Sequence, residues 1–254
     1  MNHQLDADPS RPVFARHAAV ANTIVLRNRK GRALFRTEAP STRAALEQAV
    51  AEQVNLRGVV LLYEDLANAS LIGIDAPDSD FTGADISRSC MEAANLEGAT
   101  LDDVTGIGVT LDRARCARAS FRRATLSAAR FHTIDGTGAI FDGAQAHGAV
   151  FTSAVMRGAS MIGIAASRCH FSGLVASRSQ WDRAVLDDSE FRAADVSHSS
   201  FRDVEARRVA FNESDFAHAT LSGAFGDSTW RAAKMHAAVS AAARDANYWD
   251  VDNT

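Results

Sequence analysis

Apolar residues recur along this chain at a fixed interval of five, from Leu56 through Leu221, in 34 successive units. Each unit holds a larger apolar residue at its centre and a small residue two places earlier, as in Ala84-Asp85-Ile86, Ala94-Asn95-Leu96 and Ala124-Thr125-Leu126. A period of five fits neither the 3.6-residue repeat of a helix nor the two-residue alternation of a half-buried strand, so the pattern is that of an array of repeats. Taking the centres twenty residues apart sorts them into four columns. Two are bulky, one running Leu61, Phe81, Leu101, Phe121, Phe141 and the other Leu71, Met91, Leu111, Phe131, Phe151. The two between them are smaller and include Ala76, Gly106, Gly136, Ala146 and Ala166. An interior at crystal-like density has no room for four large side chains on one level, so large columns should alternate with small ones around a four-sided coil. Where a centre shrinks, the small position before it grows, as in Ile74 with Ala76, Val104 with Gly106 and Ile164 with Ala166. Ala144 with Ala146 breaks this compensation, and looser packing is expected there.

The unit Ala-Asp/Asn-Leu-x-x resembles the repeat of the pentapeptide-repeat family. That resemblance covers about two thirds of the chain and implies an all-β solenoid, a right-handed quadrilateral β-helix with four five-residue faces per turn. The expected organisation has three parts. Residues 1–53 comprise a disordered start, a β-hairpin and a capping helix; residues 54–226 form the β-helix of about eight and a half turns; residues 227–254 form a C-terminal helix and tail. The hairpin is read from Thr23–Asn28 and Arg32–Thr37 around Arg29-Lys30-Gly31, and the first helix from a Ser41 or Thr42 cap to about Gln53. A second helix is expected from Asp227 or Ser228 to near Ala246, because Met235, Val239, Ala242, Ala246 and Trp249 follow helical spacing. Relatives in the family often dimerise through such an element, which makes Met235, Val239, Ala242, Tyr248 and Trp249 candidate dimerisation residues in a homodimer.

The net charge of −4 is unevenly spread. Residues 58–112 hold eleven acidic side chains against Arg88 alone, whereas residues 113–183 hold ten arginines against Asp135, Asp142 and Asp182. Bands of opposite sign can steer a partner along a rod, so Asp78, Asp80, Asp102, Asp103, Arg118, Arg122 and Arg123 are candidate partner-binding residues. Two binding readings follow. One is a non-catalytic protein-interaction scaffold of phage or bacterial type; the other, implied by the quinolone-resistance branch of the family, is a DNA-mimicking modulator of DNA gyrase or topoisomerase IV. The central basic belt and the lack of an inserted loop count against mimicry. Direct nucleic-acid binding is not expected.

No catalytic, cofactor or metal site emerges from the sequence, and an enzyme is not expected. His198 and His218 share a column and should stack on adjacent turns, but without a close third ligand they make a poor metal site. Cys90 and His170 are four turns apart, too far for a nucleophile and its base. The glycine pairs Gly106/Gly108 and Gly136/Gly138 lie inside the array with no helix after them to hold a phosphate. The three cysteines fall on different turns, no apolar run approaches membrane-spanning length, and no signal peptide is evident, so the expected location is the cytoplasm.

Overall fold

In the computed structural model, residues 22–240 are described. From Leu56 onward the backbone winds as a four-sided coil. Parallel bridges link residues twenty apart, from Val60 with Asp80 through Gln180 with Ser200, so one turn takes four units. The hydrogen bonding within a unit follows a strict rule. In the unit of Phe121, the centre's N–H donates to the Ile140 carbonyl on the next turn, and the Arg123 N–H donates to that of Asp142. The Thr125 N–H donates back to Val104, and the Ala124 N–H closes the corner onto the Phe121 carbonyl. The second corner residue of each unit is left-handed, with φ of 55° at Arg123 and 57° at His198, so non-glycine residues carry this conformation throughout the coil.

All 34 centres are buried, and the residue two places before each is buried from Ala69 onward. The bulky columns pack as two interlocking ring stacks. Phe121 lies on Phe141 at 4.6 Å and 10°, and Phe131 on Phe151 at 4.6 Å and 12°. Rings from opposite columns meet edge to face, at 5.6 Å for Phe131 and Phe141. Both geometries suit the negative face and positive edge of an aromatic ring. The twenty-residue repeat thus follows from how large side chains fill a narrow core.

At the N-terminal end, strands β1 (Asn22–Arg27) and β2 (Ala33–Ala39) pair antiparallel, and helix α1 (Thr42–Ala51) follows. The Ser41 hydroxyl accepts from the Ala44 N–H and starts the helix. Leu26, Leu46 and Ala49 join the coil's core, and the Val60 N–H donates to the Arg27 carbonyl at 2.9 Å. The open edge of the first turn is thereby covered.

At the other end the structure corrects the sequence reading. No helix begins at Asp227 or Ser228; residues 227–240 continue the coil. Strand β3 (Ser200–Glu205) pairs parallel with β4 (Thr220–Ala224), and the register slips by one inside this ladder, from Phe201 opposite Leu221 to Val204 opposite Gly223. From there the turn is nineteen residues long. Strand β5 (Val239–Ser240) pairs with Thr220 and Leu221, and bridges join Ala210 to Thr229 and Asp215 to Lys234. Phe225, Trp230 and Met235 become the new centres, packed against the core, with Ser228 and Ala233 as the small buried residues before Trp230 and Met235. The left-handed positions move with them to Asp227, Ala232 and Ala237. Gly223 permits the slip: its φ is 121°, and a Cβ there would overlap the Val204 backbone on the adjacent turn. Met235 is therefore a core residue and Val239 a strand residue, not members of a dimerisation helix. Ala242, Tyr248 and Trp249, with the expected disordered start, lie outside the described residues. No described helix is long and apolar enough to cross a membrane.

Candidate functional surface

Four of the five backbone N–H groups in each unit are satisfied by other turns or by the corner itself. The fifth belongs to the first corner residue, and in about a third of the units an acidic side chain supplies its partner. In some units the residue just before the centre folds over its own corner: Asp80 Oδ1 accepts from the Thr82 N–H, Asp85 from Ser87, and Asp195 from Ser197. In others the carboxylate comes from the preceding turn, as when Asp102 accepts from the Arg122 N–H at 3.0 Å and Asp112 from that of His132. Unsatisfied backbone donors are costly, so these carboxylates serve the coil before they serve any partner.

Arginine completes the arrangement. Because one turn takes twenty residues, the end of the acidic band lies directly against the start of the basic band. Arg123 grips Asp103 through two bonds of 2.8 and 2.6 Å, Arg118 meets Glu97 at 2.5 Å, and Arg130 meets Asp112 at 2.6 Å. The pattern returns lower down, where Arg208 holds Asp188 at 2.6 and 2.8 Å and Arg207 meets Asp187. Hydrogen bonding by Arg123 keeps the Asp103 carboxyl below the usual aspartate range, and Arg208 does the same for Asp188. Of the other expected site residues, Asp78 pairs with Arg57, Asp80 with Arg29 of the hairpin at 3.2 Å, and Asp102 accepts from Ser120 at 2.5 Å. Arg122 donates to the same Ser120 hydroxyl at 2.9 Å.

These seven residues also share a location that a linear reading conceals. Asp78 and Arg118 occupy one corner of the coil, Asp102, Asp103, Arg122 and Arg123 the next, and Asp80 the flat face between. Below Asp80 that face presents Thr100, Ser120, Ile140, Ser160, Gln180, Ser200 and Thr220, one to a turn, all half-buried except the exposed Gln180. Below Asp80 it is uncharged, with charges along its edges. The acid–arginine interlock was missed in sequence although its signal is present, in the doublets Asp102-Asp103 with Arg122-Arg123 and Asp187-Asp188 with Arg207-Arg208, each twenty apart.

The repeat signature of the pentapeptide-repeat family matches in eight copies, over residues 65–103, 137–165 and 189–225. Those segments carry the pentapeptide repeat of that family. The stretches between the matched segments wind with the same hydrogen bonding, so this pentapeptide-repeat coil is continuous across them. Similar solved structures include HetL, a pentapeptide-repeat protein involved in heterocyst differentiation regulation from the cyanobacterium Nostoc sp. strain PCC 7120. It is 17% identical, with 76% of this chain and 94% of HetL covered and a TM-score of 0.42. A trypsin-treated form of QnrB1, a plasmid-mediated fluoroquinolone resistance protein, is 17% identical over 67% of this chain and 90% of its own, with a TM-score of 0.41. The pentapeptide-repeat protein Rfr23 from the cyanobacterium Cyanothece 51142 is 20% identical over 50% and 88%, with a TM-score of 0.20. No curated protein matches the chain.

Among the described residues no group of three or more His, Cys, Asp or Glu side chains could hold a metal ion. His198 and His218 do stack, at 4.6 Å and 16°, and His236 meets His218 edge-on at 5.7 Å. Cys116 and Cys169 are buried thiols; burial raises both, Cys169 to about 12, so neither is a nucleophile at neutral pH.

Proposed function

We propose that this pentapeptide-repeat coil is a non-catalytic protein-interaction scaffold, and that its partner docks on the face carrying Thr100, Ser120, Ser160, Gln180 and Ser200. The observation that carries this reading is the gathering of six of the seven charged candidates along the two edges of that one face, with the seventh, Asp80, at its upper end. A central strip of uncharged and mostly small side chains lets another surface approach closely, while charged rims set register and discourage wrong partners. DNA mimicry of the kind that would engage DNA gyrase or topoisomerase IV asks for carboxylates free to stand in for phosphates. Asp78, Asp80, Asp102 and Asp103 are instead committed to arginines, hydroxyls and backbone donors within the chain, which favours the scaffold.

The test is capture of partners from a lysate of the source cells with three immobilised forms. These are the unaltered chain, a Ser160→Arg/Ser200→Arg variant on the proposed face, and a Val150→Arg/Ala210→Arg variant on a different face. The scaffold reading expects a protein retained by the first and third forms and lost from the second. Retention by all three alike would overturn the assignment of the face, and supercoiling inhibition of purified gyrase that disappears on Asp102→Asn/Asp103→Asn would favour mimicry.

A further inference from the structure

Below Glu97 the corner that bore Asp78 and Arg118 contains no acidic residue down to Ala237. Its successive rungs present Arg157, Arg178, His198, His218 and His236, all exposed. Backbone bonds tie these rungs together: the Gly158 N–H donates to Ser177, Arg178 to Ser197, His198 to Ala217 and His218 to His236, at 2.8–3.0 Å. The side chains therefore form one ladder of basic residues. Neither Arg157 nor Arg178 has an ion pair among the described residues, unlike Arg118 and Arg123 on the upper turns. With turns spaced like strands in a sheet, five rungs span about 19 Å, which matches about six residues of extended peptide.

We propose that this edge binds an extended acidic segment of a partner protein, and that binding tightens as pH falls. The inference rests on the scaffold reading and names the chemistry of its partner. Two arginines supply fixed charge, and protonation of the three imidazoles adds to it. The groups facing the histidines are few. On one flank Asp195 accepts from the Ser197 N–H and hydroxyl, and Asp215 accepts from the Ala217 N–H while its other oxygen lies 3.8 Å from Lys234. On the other flank stand Gln180, Ser200 and Thr220, all uncharged, with the Ser200 hydroxyl donating to Asp182. Above them stands Arg178. Stacked imidazoles at 4.6 Å repel once both are charged, and an acidic ligand relieves that repulsion, which couples ligand to proton. A nucleic-acid strand is disfavoured by the chain's net charge of −4 and by the absence of Phe, Tyr or Trp along this edge for bases to stack upon.

Fluorescence anisotropy of a labelled oligo-aspartate of about six residues, titrated with the full chain at about pH 5.5 and pH 8, tests this. Binding should be about tenfold tighter at the lower pH and should weaken with salt. Arg157→Gln/Arg178→Gln should weaken binding at both pH values, and His198→Gln/His218→Gln/His236→Gln should abolish the difference between them. These positions are exposed, and unchanged circular dichroism would confirm folding. No saturable binding, or binding indifferent to the arginine pair, would overturn the proposal; if the face variants still lost their captured partner, the scaffold reading would stand without it. Tighter binding of a single-stranded oligonucleotide of equal charge would overturn it in favour of nucleic acid.

Discussion

Phe171→Ala probes the ring stacks on which the coil depends. Phe171 is fully buried and touches three other rings: Phe151 at 5.2 Å, Phe191 at 4.5 Å and Trp181 edge-on at 5.3 Å. Truncating a buried Phe to Ala costs about 3–5 kcal/mol, because the lost transfer energy is joined by a cavity that neighbours fill only in part. Here collapse is restricted, since the rings above and below are held by the backbone ladder at the turn spacing. Each aromatic contact is worth a further ~0.5–1.5 kcal/mol, which places this site at the upper end, about 5 kcal/mol. Urea unfolding followed by circular dichroism gives the difference, with Phe171→Leu as a milder variant expected to lose about 1–1.5 kcal/mol. A solenoid can unfold in segments, so the comparison needs coincident transitions by fluorescence and circular dichroism. Ser172→Ala, one residue on and outside the core, should change stability by less than about 0.5 kcal/mol. A Phe171→Ala loss below about 1.5 kcal/mol would refute the close-packed stack.

Other expectations follow from single sites. Gly223→Ala should destabilise the last turn, because a side chain there meets the Val204 backbone; unaltered hydrogen exchange at Thr229 and Lys234 would contradict the register slip. In the native chain a thiol reagent at about pH 8 should label Cys90 alone, and all three cysteines only after denaturation, since Cys116 and Cys169 are buried and hold their protons. Asp103 has its carboxyl lowered by Arg123, so this pair stabilises the fold above the ordinary aspartate range of about pH 4 and its contribution is lost as pH falls through the lowered value. The stability difference between the unaltered chain and Arg123→Gln should accordingly be present at neutral pH and vanish in acid melts.

The coil was legible because its core obeys two periods at once, five for the inward residues and twenty for their size. Ile74 beside Ala76 and Val104 beside Gly106 carry that information without any structure. The last turn was not legible in the same frame. Phe225, Trp230 and Met235 also stand five apart, but the one-residue slip at Gly223 puts them out of phase with Leu221, and the alternative spacing of Met235 and Val239 then reads as helix. Local pattern favoured the helix; the exposed edge of the preceding turn, which any added strand can satisfy, decided for the coil. The surface was half legible. Counting acidic and basic side chains along the sequence suggested separate bands, whereas folding modulo twenty sets Asp103 on Arg123 and Asp188 on Arg208 and cancels much of the contrast. That the carboxylates also cap corner N–H groups depends on backbone geometry no spacing rule reveals.

The claim that one face of the coil is the docking surface is tested most directly by a photo-crosslinking residue placed in turn at the four outward positions of a single turn, Ser160, Ala165, His170 and Val175, in the source cells. The scaffold account predicts a crosslinked partner from position 160 and none from 170 on the opposite face. Equal crosslinking from all four positions, or crosslinking from 170 alone, would contradict it.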